Sequence, residues 1–151
     1  MLTLGILVET KTPSDVDIPP LQIAKILKTV VDTVSVPLDS HLKEKPDLVL
    51  LGKQSIDGDN GQTGPMLAGL LDWGEASCIS SFQMEKDAIT VEEETETGKR
   101  TLLIPLPAVV STDLRLNKPR YPKLPDIVKA KKKPLKVIPI DSVLDTDKRV
   151  Q

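Results

Sequence analysis

The sequence predicts an α/β fold, a parallel core carrying a small antiparallel insertion. Three observations predict it. Two continuous apolar runs, Asp47 to Gly52 and Pro107 to Asp113, read as strands buried on both faces, the pattern of parallel sheets. Helical periodicity falls between runs of this kind, giving the order β-α-β-α. After Trp73 the texture changes to three alternating segments separated by short polar turns, the mark of antiparallel hairpins.

The elements follow in order. Leu2 to Glu9 is an apolar opening strand, and Thr10 to Pro20 is a polar, proline-bearing loop. A helix runs from Pro20 to about Val31, where Leu21, Ala24, Leu27, Lys28 and Val31 recur at helical spacing and Ile23, Ile26 and Val30 widen the apolar face. Pro20 suits the first turn, where its missing N–H costs nothing. Asp32 to Lys45 is a polar connector holding Pro37 and His41. The strand Asp47 to Gly52 leads through a glycine-bearing loop, Lys53 to Gln62, into a short apolar helix, Thr63 to Trp73. Ala76 to Met84, Ala88 to Thr95 and Arg100 to Leu106 are the insertion's strands, turned by Glu85-Lys86-Asp87 and Glu96-Thr97-Gly98-Lys99. Ile89, Val91 and Glu93 alternate with polar neighbours as on a half-exposed strand. Leu114 to Pro125 is a basic, proline-rich excursion, Pro125 to Lys133 a short helix, Leu135 to Ile140 a last strand, and Asp141 to Gln151 a polar end. These form one domain over 1–137, with the insertion at 76–106, a loop at 115–133 and a tail at 138–151.

Composition removes several classes of function. The chain has 151 residues and a net charge of −2, which disfavours a globally basic nucleic-acid binder. Cys78 and His41 are the sole residues of their types, so neither an internal disulfide nor a Cys/His metal cluster can be assembled. Trp73, Phe82 and Tyr121 are the only aromatics, so the core is aliphatic. Leu102 to Val110, the longest nearly apolar stretch, is broken by two prolines and is about half a membrane span. The opening lacks the basic residues of a signal peptide, and the first Arg is Arg100, so no cleavable presequence is legible.

Chemistry concentrates between Asp47 and Trp73. A strand ends at Gly52, a polar loop follows, and a helix begins near Thr63, the place where open α/β sheets bind ligands. Free N–H groups of a helix N-terminus suit phosphate. Gly58, Gly61 and Gly64 let backbone approach an anion, and Gln62 and Thr63 offer side-chain donors. Asp57 and Asp59 repel phosphate unless they point away. The same residues also suit a plain tight turn that caps a helix. The loop is not a Walker A motif, because no Lys-Ser/Thr pair follows the last glycine. A second feature is charge. Arg115 to Lys136 holds nine basic residues against the single acid Asp126, a patch able to steer an acidic partner or simply a solvated surface. Leu124 sits among them on a proline-stiffened segment and suits a partner's pocket. The six acids of Glu85 to Glu96 read as an exposed hairpin face, Cys78 as a small buried hydrophobe, and His41 as a loop residue.

Three stretches carry a specific resemblance: DLVLLGKQSIDGDNGQTGPMLAGLLDW (47–73), LPAVVSTDLRLNKPRYPKLPDIVKAKKK (106–133) and PLQIAKIL (20–27). In this order and spacing they resemble the beta subunit of electron-transfer flavoproteins, strongly from Pro46 to about Val137 and more weakly back to Gly5. The resemblance implies a three-layer Rossmann-like sheet of the adenine nucleotide alpha hydrolase type. It implies a heterodimer with an alpha subunit, FAD held mainly by the alpha chain, and AMP held by the beta chain. It implies electron transfer from acyl-CoA and other dehydrogenases to a quinone oxidoreductase in the mitochondrial matrix, with this chain a scaffold and docking arm rather than an enzyme.

Carried over by position, the AMP-contacting stretch is Gly52, Lys53, Gln54, Ser55, Ile56, Asp57, Gly58, Asp59, Asn60, Gly61, Gln62 and Thr63. Gln62 and Thr63 match the family's Gln-Thr, while Gly61 stands where many members have Asn. The partner loop is Tyr121, Pro122, Lys123, Leu124, Pro125, Asp126, Ile127, Val128, Lys129, Ala130 and Lys131, with Leu124 at the anchor position. Lys129 and Lys132 match lysines that are methylated in animal members. The chain starts well inside the family's fold, lacks its C-terminal arm, and departs from it at Asp32 to Ser40, which suggests a form truncated at both ends. Alternatives are a stand-alone adenine-nucleotide-binding domain of the universal-stress-protein type, a non-functional fragment and, against the missing Walker lysine, a nucleotide hydrolase.

Overall fold

A computed structural model describes residues 5–10, 18–34, 45–141 and 143 of the chain. His41, most of the 32–45 connector and nearly all of the tail beyond residue 141 lie outside the described residues, as do residues 1–4 of the opening strand. The chain divides into two compact units, one of residues 17–117 and one built from 1–16 and 118–151.

The larger unit holds helix α1 (Pro20–Val34), strand β2 (Leu48–Gly52), helix α2 (Thr63–Leu71) and strands β3 (Gly74–Met84), β4 (Ala88–Thr95), β5 (Gly98–Pro105) and β6 (Ala108–Thr112). Strand β1 (Gly5–Glu9) precedes them in the chain and belongs to the smaller unit. The five strands form one sheet in the order β2-β6-β3-β4-β5. Strand β6 lies parallel to β2 on one side and to β3 on the other. That inner position explains the buried run Ala108, Val109, Val110 and Ser111. Strands β3, β4 and β5 are antiparallel. The architecture is a Rossmann-like α/β fold, a mixed sheet flanked by helices.

The two sides of the sheet bury different cores. Val109, Leu51 and Val49 face the helices and meet Ala24 and Leu27 of α1 and Leu67 and Ala68 of α2. Small alanines at the contact let the two helices approach closely. On the opposite side Ala108 and Val110 join Ala76, Ile79, Ile89, Val91 and Ile104. The expectation that Asp47 to Gly52 is buried on both faces fails at Leu50, which is 59% exposed. The reason is position: β2 is an edge strand of this sheet, and only the face carrying Val49 and Leu51 is covered by helices.

The antiparallel segments continue the same sheet as β2 and β6. Strand β3 begins as a parallel partner of β6 through Gly74–Ala76 and continues as an antiparallel partner of β4 from Ile79. A break in register lies between Ala76 and Ile79, and Ile79 pairs both with Thr112 of β6 and with Glu93 of β4. There Cys78 has φ +52, and its N–H donates to Ser111 Oγ at 3.0 Å. Cys78 is half-buried rather than a core residue, because the bulge turns it out of the pleat. Glu93 fixes the same bulge by accepting the Ser77 N–H at 2.9 Å and pairing with Arg100. The β4–β5 turn is shorter than expected: Thr95 already pairs with Gly98, leaving Glu96 and Thr97 as its two loop residues.

The smaller unit holds β1, helix α3 (Leu124–Lys131) and strand β7 (Leu135–Pro139), with β1 and β7 pairing in parallel. Leu7 is about half-exposed, against the expectation of a buried opening strand, because the described sheet here is only two strands wide. Helix α3 starts one residue earlier than the periodicity suggested, with a proline in its first turn and no side-chain cap.

Candidate functional site

A cleft of about 330 Å³ opens in the larger unit where β2 ends and α2 begins. Its size sits at the small end of ligand sites. Two kinds of surface line it. Ile18, just before α1, forms an apolar wall with Pro20, Ile23 and Leu27 of α1, and Leu51 joins them from β2. Facing that wall are Gly52, Lys53, Gln54, Ser55, Asp57, Gly58, Asn60, Gly61, Thr63 and Gly64.

The loop between β2 and α2 is folded by its own side chains. Asp59 N–H donates to the Ser55 carbonyl at 3.1 Å, and Gln54 Nε2 donates to Asp59 Oδ1 at 2.6 Å. Gly58 N–H donates to Asp57 Oδ1 at 2.9 Å. The Ser55 hydroxyl and the Gly58 amide hold the Asp57 carboxyl below its ordinary value. Both acids of the loop thus accept hydrogen bonds from within it. Gly61 has φ +61, a conformation that glycine reaches freely and asparagine tolerates better than most residues. This accounts physically for Gly61 at a position where the resemblance has Asn. Gln62 enters α2 with no side-chain cap hydrogen bond.

Nine of the twelve positions carried over for AMP line the cleft. Ile56 is fully exposed, and Asp59 and Gln62 lie outside the lining. The apolar wall from α1 is the part that motif reading missed. Its signal lies in the helical spacing of Pro20, Ile23 and Leu27, which reads equally well as an ordinary apolar helix face. On the smaller unit, residues 121–131 are exposed throughout, and Leu124 is 73% exposed. Ile127 and Val128 expose apolar surface beside it on the same helix. No helix among the described residues is long and apolar enough to cross a membrane.

A parallel strand pair, a loop folded on its own acids and a helix start beside an apolar wall place a candidate ligand cleft in an α/β domain. Comparison with known proteins makes this particular. Residues 20–143 match the model of the electron transfer flavoprotein domain. The electron transfer flavoprotein subunit beta of Bos taurus is 48% identical over 134 residues, covering 89% of this chain and 49% of that protein. The subunit beta of Dictyostelium discoideum is 47% identical over 133 residues, covering 88% of this chain and 48% of its own length. The mitochondrial subunit beta of Oryza sativa subsp. indica is 49% identical over 131 residues, covering 86% and 47%. The chain belongs to the electron transfer flavoprotein domain family. It spans about half the length of the curated relatives it matches.

Proposed function

We propose that this chain acts as a beta-type subunit of an electron-transfer flavoprotein. In that reading it pairs with an alpha subunit, and the heterodimer carries electrons from acyl-CoA and related dehydrogenases to a quinone oxidoreductase. The chain contributes AMP binding, a scaffold and a docking surface, and is not itself an enzyme. A mitochondrial matrix location belongs to the same reading, supported by the rice relative, whose name includes the word mitochondrial.

The observation that carries the reading is the cleft within a family match of this breadth. Its residues fit a nucleoside monophosphate. The aliphatic wall of Ile18, Pro20, Ile23 and Leu27 suits an adenine ring, which needs desolvated apolar surface. Lys53 and Thr63, with the uncapped start of α2, suit a phosphate. The Asp57 and Asp59 carboxylates accept hydrogen bonds from Ser55, Gly58 and Gln54, which fixes them within the loop. FAD, when bound in the heterodimer, supplies the electron-accepting and electron-donating chemistry. This chain supplies contacts rather than redox atoms. Leu124 and its basic surroundings on α3 offer an apolar anchor with electrostatic steering toward an acidic dehydrogenase surface.

Co-expression with an alpha subunit of the family, followed by size exclusion with flavin absorbance recorded, tests this. Co-elution in a yellow peak supports the reading. An alpha chain eluting alone overturns it, and a nucleotide-loaded homo-oligomer without the alpha chain favours a stand-alone nucleotide-binding domain.

A further inference from the structure

We infer that Asp113 is a positioning residue for the cleft: it holds the Lys53 ammonium where a phosphate monoester would meet it. The inference rests on the nucleotide reading of the cleft and adds a residue that lies outside its lining.

Strand register creates the pair. Gly52 and Thr112 are partners in the parallel ladder of β2 and β6. The next residues, Lys53 and Asp113, therefore leave neighbouring strands side by side, at the carboxyl ends where the cleft opens. Thr112 Oγ1 donates to the Leu51 carbonyl at 3.1 Å and ties the two strand ends together. Lys53 Nζ lies 3.8 Å from Asp113 Oδ2.

The two partners differ in freedom. Asp113 is held at three points: its N–H donates to the Ile79 carbonyl at 2.9 Å, its own carbonyl accepts the Leu116 N–H at 3.1 Å, and its Oδ1 accepts the Arg115 N–H at 3.0 Å. Its side chain is 11% exposed. Lys53 is a long side chain, 47% exposed, and the only Lys or Arg among the described residues that line the cleft. A fixed carboxylate beside a flexible ammonium lowers the entropy that the lysine would lose on meeting an anion.

Asp113 also carries a charge that repels phosphate, so two effects compete. The structure favours positioning. Asp113 does not line the cleft, whereas Lys53 does. Arg115 offsets the Asp113 charge, with Nε 3.8 Å from Oδ1, and its Nη1 in turn meets Glu94 Oε2 at 2.8 Å. The charges alternate outward from the cleft, and the cation stands nearest to it.

The sign of one substitution decides between the effects. In the full chain with its alpha subunit, freed of bound nucleotide, AMP and adenosine are titrated by calorimetry. Asp113→Asn keeps an acceptor for the Arg115 N–H and removes the charge. It is expected to weaken AMP about three- to fivefold while leaving adenosine unchanged. Lys53→Ala is expected to weaken AMP about tenfold or more, and Asp113→Asn is expected to add nothing in the Lys53→Ala background. Tighter or unchanged AMP binding on Asp113→Asn overturns the inference, as does an equal loss of adenosine, which marks a merely structural role. Lysine side-chain NMR of the nucleotide-free protein gives a second readout: the Lys53 Cε–Hε signal is expected to shift and sharpen on Asp113→Asn. A wild-type protein that binds no AMP refutes the nucleotide reading. In that case a changed Lys53 signal still supports the restraint, and an unchanged one refutes it as well.

Discussion

Gly74 opens β3 at the point where the strand joins the parallel half of the sheet, and replacing it by alanine should destabilise the larger unit. A Cβ at this position lies 2.5 Å from Ile104 Cγ2 and 3.6 Å from the Pro105 carbonyl. Carbon atoms in contact sit about 3.5–4.0 Å apart, so the pair must separate by about an ångström. Ile104 has little room to yield. It is buried among Ala76, Ile89 and Ala108, and its β-branch restricts rotation about χ1. Overpacking of this kind costs about 1–3 kcal/mol. Gly74 is not in the left-handed region, so alanine also stiffens the unfolded chain and returns about 0.4–1 kcal/mol. The net expectation is a loss of about 1–2 kcal/mol. Urea unfolding followed by circular dichroism measures it as a lower midpoint with an unchanged slope. The cause is checked in the Ile104→Leu background, where the interfering methyl moves off the β-carbon. There Gly74→Ala should cost less than about 0.5 kcal/mol. An equal cost in both backgrounds, or none in either, would refute the steric reasoning.

Three further outcomes follow from the same geometry. Glu93→Ala should destabilise by about 1–3 kcal/mol, because it orphans the Ser77 N–H at the β3 bulge, whereas Glu93→Gln keeps an acceptor there and should cost less; urea midpoints of the two variants compare them. Leu124→Ala should leave the unfolding midpoint within about 0.5 kcal/mol, because the side chain is exposed, while slowing flavin reduction by a partner dehydrogenase; loss of bound flavin would instead mark Leu124 as structural. Asp57 has its carboxyl lowered on folding by Ser55 and Gly58, so its contribution is present above the ordinary value of 3.8 and is lost as pH falls through the depressed one; stability of Asp57→Asn should fall less steeply than wild type below about pH 4, and parallel curves would count against the assignment.

The parts of the fold legible in the sequence are those written by local pattern. The run PAVVST reads as a buried strand because β6 has neighbours on both sides, and TGPMLAGLL reads as a helix because its apolar residues meet α1 and the sheet. The failures are all non-local. Leu50 and Val49 look alike in sequence, and only strand order shows that one of them faces a side without helices. Glu93 sits within an acidic run that reads as a solvated face. Its alternation with Ile89 and Val91 in fact places it inward, 6% exposed, where Arg100 and the Ser77 amide offset its burial. Cys78 looks apolar enough for a core, yet it occupies the register break of β3 with φ +52. Which partners a strand takes depends on segments tens of residues away, and no local period encodes that.

The candidate site shows the same division. Its loop was legible because glycines, acids and a helix start lie within a dozen residues. Its apolar wall was not, because it reaches the cleft from α1, and neither was Asp113, which stands behind Lys53 at the end of β6. Both placements follow from parallel pairing. Strand β6 lies between β2 and β3, so the chain leaving β6 emerges beside the chain leaving β2, at the same end of the sheet. Helix α1 packs on α2 through Ala24, which brings Ile23 and Leu27 over the start of α2 rather than over the open face of β2. The site is therefore a consequence of strand order and of one helix contact, with the loop motif supplying only its polar half. A bulky residue in place of Ala24 would be expected to disturb the apolar wall, and with it adenosine binding, without touching any residue of the motif.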